Sequence, residues 1–567
     1  MFNSKNLSRL QLGNSVFIQG WVQNIRKIKN KTFVIIRDYY GIFQVVLDPN
    51  SKTAQFSKES VVKVEGTLVL RTNPNPKIHN GDLEIIVKEL QTLSFSQQIP
   101  FEIRDEISVN EDLRLQYRYL DLRRDVMRKN LIFRYQVFHQ IRNFLFENNY
   151  IEIETPILSK STPEGARSFL VPTRHDGKFF ALPQSPQIYK QLLMVAGFEK
   201  YFQFARVFRD EDLRKDRQFE FSQLDLEFGF INLEKVLEQI ESLFTNLWEK
   251  LFPNYKIEFP KIKHQDAISF YGSDKPDLRF ENLLFDVEIL DNFNKLFFGK
   301  TRGIFLENFL ISKADYRIFS EKIVQNKGSK LFYCHFENKK FTFFSFKTDE
   351  NFPILEIENF LCKKNFKNGT LFLVSDTYEN CSQALGALRN LIGEKYNLIK
   401  KDEFKFIWVI DWPLFELDSE ENLTSAHHPF TAPTEQTRHF LATDAKKVRA
   451  QAYDLVLNGF ELGSGSIRIS DSKLQTEIFQ ILGLDPSQIK SQFGPLLHAF
   501  EFGVPPHGGF AIGLDRLIMI LRNTESIRDV IPFPVNSKGL DLLLNSPSKI
   551  DKKILDEFAL ELKINKD

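Results

Sequence analysis

Residues 201–230 read YFQFARVFRDEDLRKDRQFEFSQLDLEFGF, and the chemistry of that run leaves little choice but an antiparallel hairpin with a charged tip. Seven of the eight residues 210–217 are charged, and both flanks are dense in aromatic and aliphatic side chains with no Gly or Pro before Gly229. The succession reads as strand, polar loop, strand. In the second strand a period of two puts Leu224, Leu226 and Phe228 on one face and Phe221, Gln223, Asp225 and Glu227 on the other. One face is core and the other acidic. A half-solvated antiparallel strand carries the same pattern, but Arg209 at the end of the first strand and Phe221 within the second add chemistry that a wet surface does not need. An arginine fork can clamp a phosphate, and an aromatic face beside it can stack a purine.

A chain of 567 residues is too long for one core, so three domains are expected. Lys and Arg number 75 against 74 Asp and Glu, which leaves any nucleic-acid affinity to a local patch. Residues 1–105 carry 14 basic against 9 acidic residues, a mild surplus that suits an RNA-binding module. The cysteines Cys334, Cys362 and Cys381 have no CxxC spacing and cannot all pair, which points to a reducing compartment and away from a Cys-based zinc site. The start MFNSKNLSRL lacks an apolar signal core, and no apolar run approaches about 18 residues, so a cytoplasmic protein without a membrane partner is expected. GxxxxGK[ST], GxGxxG and HExxH patterns are all missing, which leaves P-loop, dinucleotide and zincin readings without support.

Residues 1–105 hold five short apolar runs, at 16–22, 32–37, 43–47, 61–70 and 83–93, as a small barrel would. Residues 111–124, EDLRLQYRYLDLRR, combine near-helical apolar spacing with heavy charge, the pattern of a solvated helical linker. An amphipathic helix at 131–147 is followed by YIEIETPIL, a strand that Pro156 places at an edge or bend. In LPQSPQIYKQLL, Gln187 and Lys190 fall three apart on one helix face. Residues 285–400 alternate strand-like and helix-like pieces rich in Lys and Phe and show no catalytic signature. The expected organisation is a barrel at 1–105, a linker at 106–130, a catalytic region in two parts at 131–284 and 401–567, and an insertion at 285–400. Near the end, GVPPHGGFAIGLDRLIMIL reads as a glycine-rich strand that a ligand can approach, then a helix whose buried face is Leu514, Leu517, Ile518 and Leu521, with Arg516 off that face.

The hairpin, with FRDED, RQ and EF in order, resembles motif 2 of the class II aminoacyl-tRNA synthetases in the form of bacterial-type aspartyl-tRNA synthetases. Helix 131–147 with YIEIETPIL resembles motif 1, GLDR resembles motif 3, and the likeness covers nearly the whole chain. The resemblance implies an α+β multidomain fold: an N-terminal OB-fold barrel, an antiparallel-sheet catalytic domain with helices, and an inserted α+β domain. It implies an enzyme that activates L-aspartate with ATP and Mg²⁺ and passes it to the 3′ end of tRNA-Asp, working as a homodimer. By the same resemblance Arg209 clamps the α-phosphate and the reacting carboxylate. Asp210, Glu211, Gln218, Phe221, Glu461 and the run Gly513, Leu514, Asp515 and Arg516 hold ATP, with Phe221 and Arg516 on the two faces of adenine. Arg209 and Arg516 are the catalytic pair, and Asp454 and Glu461 are the hard oxygen ligands of Mg²⁺. Glu164, Gln187 and Asp225 match positions near the aspartate ammonium, Lys190 and Arg468 face its side chain, and His427 closes over it. In the barrel, Arg26, Phe33, Gln44, Arg71, Asn75 and Glu84 match anticodon-contacting positions, and the arginines of RYLDLRR match a hinge where they could meet the tRNA backbone. Positioning and electrostatics suffice for adenylate formation, so no general base is required.

Three other readings compete: an asparaginyl or lysyl enzyme, a non-charging RNA-binding paralogue, and an adenylate-forming amide synthetase. Two cations, Lys190 and Arg468, suit a side-chain carboxylate better than an amide, and the insertion argues against shorter asparaginyl relatives. Retention of Arg209, Arg516, Asp454 and Glu461 argues against a silent copy. The sequence departs from the family pattern at Phe219 for Pro, Ser464 for Gly, Asn149-Tyr150 for Gly-Phe and Val535 for Lys. Glu461 and Arg468 lie seven apart, which a regular strand would put on opposite faces, unless Gly463 and Gly465 permit a bulge. In GDLEIIVK, Leu83, Ile85 and Val87 alternate inward and Glu84 outward. A carboxylate there can accept from the cytosine amino group but meets only an acceptor on uracil, so charging of tRNA-Asp over tRNA-Asn is expected, and Ile28, where non-discriminating relatives often have His, leans the same way.

Overall fold

The computed structural model describes residues 3–7, 10–76, 78–161, 165–175, 177–293, 296–348 and 350–563. The chain divides into two compact units, 1–128 and 129–567.

In the first unit the strands Ser15–Ile28, Lys31–Arg37, Ile42–Leu47, Val61–Leu70 and Leu83–Ser94 follow the five apolar runs closely. Parallel pairing of Ile42–Leu47 with Leu83–Ser94 closes the sheet into an OB-fold barrel, which removes its open edges. The alternate residues Val16, Ile18, Val34, Ile36, Val62, Val64 and Ile85 fill its interior. A two-residue strand, Lys52–Thr53, pairs further along the last strand, at Glu89 and Leu90. The segment 111–124, expected to be helical, forms two short helices, Glu111–Gln116 and Arg118–Asp121, and its blander reading as a solvated helix gives way to a fully buried carboxylate. Asp121 accepts from Arg118 at 2.6 Å and Arg124 at 2.8 Å, and Arg123 reaches Glu59 at 2.9 Å. Charge density in this tract marks an internal ion cluster, because one buried anion needs several cations to offset its desolvation.

The second unit is organised on an eight-stranded sheet in the order Lys261–Lys263, Phe406–Pro413, Arg449–Leu457, Phe460–Ile467, His507–Gly513, Glu220–Gly229, Lys200–Phe208 and Ile151–Glu152. It is antiparallel except at its two outer pairs. The hairpin Lys200–Phe208 and Glu220–Gly229 pairs from Lys200 with Phe228 to Phe208 with Glu220. Leu224, Leu226 and Phe228 enter the main core with Val236, Ile240, Phe244 and Trp248 from the helix Leu233–Leu251. YIEIETPIL pairs only at Ile151–Glu152, and Ile151, Ile157 and Leu158 stay exposed beyond this edge. Residues 284–376 hold a five-stranded antiparallel sheet between two cores. Phe297, Phe305, Phe332, Phe336 and Phe352 fill one of them, which gives the Phe-rich composition a packing role. Among the described residues no helix is long and apolar enough to cross a membrane.

Candidate active site

A cavity of about 700 Å³ opens over the polar face of the hairpin's second strand. Register fixes its long direction. Gln223 lies opposite Gly513, Asp225 opposite Ala511 and Glu227 opposite Gly509, while Gly463 and Ser466 pair with Ile512 and Gly509 from the other side. One end is therefore built around Glu227, Ser466 and Arg468, and the other around Phe221, Gly513 and Glu461, about 20 Å apart at roughly 3.3 Å per strand residue.

At the first end two cations meet two anions with almost no solvent. The helix Gln187–Val195 buries both Gln187 and Lys190. Lys190 Nζ lies 3.1 Å from Asp225 Oδ1 and 3.3 Å from Glu227 Oε2. Arg468 donates to Glu227 from Nε at 2.9 Å and from Nη2 at 3.2 Å, a bidentate clamp. Burial pushes the Glu227 carboxyl up, but Arg468 and Lys190 outweigh it and hold the group below its usual range. For Asp225 burial wins over Lys190, and its carboxyl is raised. Its Oδ2 and the Gln187 Nε2 are buried without hydrogen-bond partners, a bare acceptor and a bare donor. Gly509 is required here, since a Cβ would stand 1.8 Å from Glu227 Oε2. His428 is half-buried against Arg468, and desolvation together with that cation pushes its imidazole well below the ordinary range. His427 donates or accepts at Asp454 Oδ1 over 2.9 Å, and its ring edge meets Trp412. Burial opposes its charged form, yet Asp454 outweighs burial and raises it.

At the second end the side chains are more open. The Arg209 guanidinium sits 5.3 Å from the Phe221 ring centre and donates to the Gln184 carbonyl. Arg516 donates from Nη1 to the Glu461 carbonyl at 2.6 Å and from Nη2 to Asp216 at 3.0 Å, and its Nε is buried without a partner. Glu211 is held by Arg217 at 2.6 Å, and Gln218 exchanges two hydrogen bonds with the Val535 backbone, which works for any side chain at 535. Asp515 turns to scaffolding: it accepts from the Ser222 amide at 2.7 Å and from Arg134. Leu514 is buried in the core, and Asp210 pairs with Arg167 away from the cavity lining. Glu164 lies outside the described residues.

The conflict between Glu461 and Arg468 is resolved by a bulge. Leu455 pairs with Gly463 and Val456 with Glu461, so Leu462 is the extra residue, and Arg468 follows the strand's end with a bridge to Thr431. Both side chains then line one cavity. Asp454 is raised by burial, with the nearby Glu461 charge adding to it. Ser464, in place of Gly, is the cross-strand partner of Asp454 and lines the cavity beside it. Phe219, in place of Pro, packs edge-on to Phe169. Residues with no assigned role also enter the site, namely Glu227, Asp216, Arg217, His428, Asp274 and Lys275. The period-two pattern puts Glu227 beside Asp225, but nothing local in the sequence pairs it with Arg468.

On the barrel, Arg26 and Phe33 are register partners, as are Gln44 and Glu84 across the closing pair. Arg71 Nη2 donates to Gln44 Oε1 at 3.0 Å, and Gln44 Nε2 donates to Glu84 Oε2 at 2.7 Å. Leu83, Ile85 and Val87 are buried and Glu84 is half-buried, and the amide of Asn75 bonds to the Gly81 carbonyl.

Residues 110–537 match the family described as tRNA synthetases class II (D, K and N), and residues 16–93 match the OB-fold nucleic acid binding domain. The chain is 46% identical to an aspartate–tRNA ligase of Malacoplasma penetrans, with 98% of each chain covered. It is 43% identical to an aspartate–tRNA(Asp/Asn) ligase of Dictyoglomus turgidum, over 99% of this chain and 97% of that one. Among solved structures, the aspartyl-tRNA synthetase of Entamoeba histolytica superposes with a TM-score of 0.57 at 19% identity, covering 94% of this chain and 91% of that one. The asparaginyl-tRNA synthetase of Pyrococcus horikoshii does so at 0.57 and 18%, covering 92% and 95%, and at these identities the likeness concerns the fold.

Proposed function

Because the chain belongs to the tRNA synthetases of class II, in the group of D, K and N, we propose that it is an aspartate–tRNA ligase. The observation that carries this reading is the pair of buried cations, Lys190 and Arg468, oriented on Glu227 at one end of the cavity. A side-chain carboxylate between them is matched in charge. Once the substrate ammonium draws Asp225 from Lys190, an asparagine amide would leave that cation short of a partner, and a lysine side chain would be repelled. The bare Asp225 Oδ2 and Gln187 Nε2 suit the ammonium and a carboxylate oxygen of the same amino acid.

In the first step a substrate carboxylate oxygen forms a bond to the α-phosphorus of ATP while the bond from that phosphorus to the bridging oxygen breaks, and the electron pair leaves with pyrophosphate. Arg209 would hold the carboxylate and the α-phosphate together, a role supported by its guanidinium lying 5.3 Å from the Phe221 ring centre at this end of the cavity. Arg516, released from Asp216, faces the nucleotide. Asp454 and Glu461 fit Mg²⁺ in donor chemistry, being two carboxylates on neighbouring strands at the nucleotide end. When bound, the ion would neutralise phosphate charge. In the second step the terminal hydroxyl of tRNA forms an ester with the acyl carbon as AMP and a proton leave.

The hydrogen-bonded chain from Arg71 through Gln44 to Glu84 supports anticodon reading by this face, with Glu84 selecting cytosine in the third position. Exposed Ile151, Ile157 and Leu158 beside an unpaired edge support a twofold dimer through that edge. The three free cysteines suit the cytoplasm.

Exchange of pyrophosphate into ATP with each amino acid in turn, followed by charging of tRNA-Asp and tRNA-Asn transcripts, tests the reading. Aspartate should support exchange at least 100-fold better than asparagine, by about 3 kcal/mol or more, and tRNA-Asp should be charged preferentially. Comparable exchange with asparagine would sink the specificity assignment.

A further inference from the structure

Residues 272–279, GSDKPDLR, lie just ahead of the insertion and place a lysine in the cavity that the reaction described above leaves unused. Lys275 Nζ stands 3.2 Å from Glu461 Oε2 and 3.3 Å from Asp274 Oδ2, and all three side chains line the cavity. The location is the nucleotide end. Glu461 is also the residue whose carbonyl receives Arg516, so an ammonium and a guanidinium converge on one position. The cations at the aspartate end are separate, bound to Asp225 and Glu227.

Lys275 is fixed from both sides. The helix His264–Tyr271 ends at Gly272, whose φ of 64° and lack of a Cβ allow contact with the insertion helix Tyr378–Lys395, where a Cβ would stand 2.2 Å from the Ser382 carbonyl. From that helix, buried Arg389 donates to the carbonyls of Asp277 at 3.0 Å and Phe280 at 2.8 Å and stacks on the Phe280 ring. Asp277 is paired with Arg279 at 2.7 Å and packs on Gly459, in the turn that leads to Glu461. The insertion thus grips the tract on which Lys275 stands.

We propose that Lys275 binds the polyphosphate of ATP and the departing pyrophosphate, an assignment that rests on reading the cavity as an ATP-dependent aspartate-activating site. With the nucleotide absent, Glu461 and Asp274 hold the ammonium in place. If a divalent cation engaged Glu461, the ammonium would keep only Asp274, and the phosphates would supply a second anion at the same position. As the bond between the α-phosphorus and the bridging oxygen breaks, the electron pair passes to pyrophosphate, and a fixed ammonium meets that charge without reorganisation. The insertion thereby acquires a task, since its Arg389 holds the tract that presents this lysine.

The test compares wild type, Lys275→Met and Lys275→Arg by equilibrium dialysis of ATP, pyrophosphate and AMP with Mg²⁺, alongside aspartate-dependent exchange. Lys275→Met should weaken ATP and pyrophosphate about ten-fold or more, as loss of a charge-assisted contact does. AMP affinity and the KM for aspartate should stay within about two-fold by the same argument, and Lys275→Arg should recover part of the loss. Unchanged ATP and pyrophosphate affinity overturns the proposal. Equal weakening of AMP and ATP overturns it too, because the lysine then only props up Glu461. If the wild type fails to exchange with aspartate while Lys275→Met still separates ATP from AMP, the aspartate reading falls and the lysine assignment stands.

Discussion

Lys190, Arg468, Asp225 and Glu227 are at most 4% exposed and bind one another, whereas the ion pairs at the other end of the same cavity leave 22% to 41% of each side chain open in Arg516 with Asp216, Lys275 with Glu461 and Arg217 with Glu211. The end around Glu227 and Arg468 is a closed electrostatic frame, in which the buried Asp225 Oδ2 and Gln187 Nε2 have no hydrogen-bond partners. The nucleotide end is a set of provisional pairs. There the tip of the hairpin supplies acids, Asp216 and Glu211, that occupy cations in advance of phosphate. On the proposed reading, amino-acid selection depends on rigidity, where a wrong side chain leaves a buried charge unmatched, and nucleotide binding depends on exchange of one partner for another.

The largest effect that would break this contrast is in stability. Lys190→Met leaves Asp225 and Glu227 buried with Arg468 alone, and should cost about 3–5 kcal/mol. Aspartate-dependent exchange should fall about 1,000-fold or more in kcat/KM. Lys275→Met, at a half-open pair, should cost less than about 1 kcal/mol. Denaturant titration of the two variants decides: equal losses would mean that the two ends are held alike.

A second effect separates the ends by pH. Desolvation and the Arg468 cation hold His428 neutral, so its folded pKa lies well below the ordinary value. A group depressed in this way costs nothing where both states are neutral. As pH falls below about 6.5 the unfolded chain takes up a proton that the folded chain refuses, and stability drops by up to about 1.4 kcal/mol per pH unit until the folded pKa is reached. His428→Asn should therefore lose less stability than wild type between pH 7.5 and 5.5, by about 1 kcal/mol. Identical acid sensitivity in the two proteins would show that the imidazole charges freely and that the aspartate end is not closed.

Much of this frame was legible in the sequence, for a physical reason. A strand's period of two puts Asp225 and Glu227 on the face of Phe221, and the barrel runs at 16–22 to 83–93 lie close to the strands because alternate burial leaves a local signature. Ion pairs leave none. Glu227 and Arg468 are 241 residues apart and meet only through the neighbouring strand His507–Gly513. The tract 111–124 misled because charge density looks the same whether it faces water or a buried Asp121. YIEIETPIL looked like a full strand, yet only Ile151–Glu152 finds a partner, since Pro156 lacks the amide that a ladder needs and the edge has no further strand. Nothing local singles out Lys275, because GSDKPDLR has no periodicity and its position follows from Arg389 on a helix more than a hundred residues later.

The smallest effect sharpens the comparison at the nucleotide end, where partner exchange predicts a gain from a deletion. Asp216 Oδ2 lies 3.0 Å from Arg516 Nη2, with both side chains roughly a quarter exposed. If phosphate must displace this carboxylate, part of the binding energy of ATP goes into breaking the pair. Asp216→Asn keeps the shape and removes the charge, which frees Arg516 at a gain of about 0.5 kcal/mol, the scale of a half-open ion pair. The KM for ATP in exchange should then fall about two- to three-fold, with the KM for aspartate unchanged. The salt dependence of the ATP KM should become steeper in the variant, because its guanidinium is no longer screened by a neighbouring acid. A raised KM for ATP would mean that Asp216 builds the site by orienting Arg516 toward the nucleotide, and the nucleotide end would then be as fixed a frame as the aspartate end.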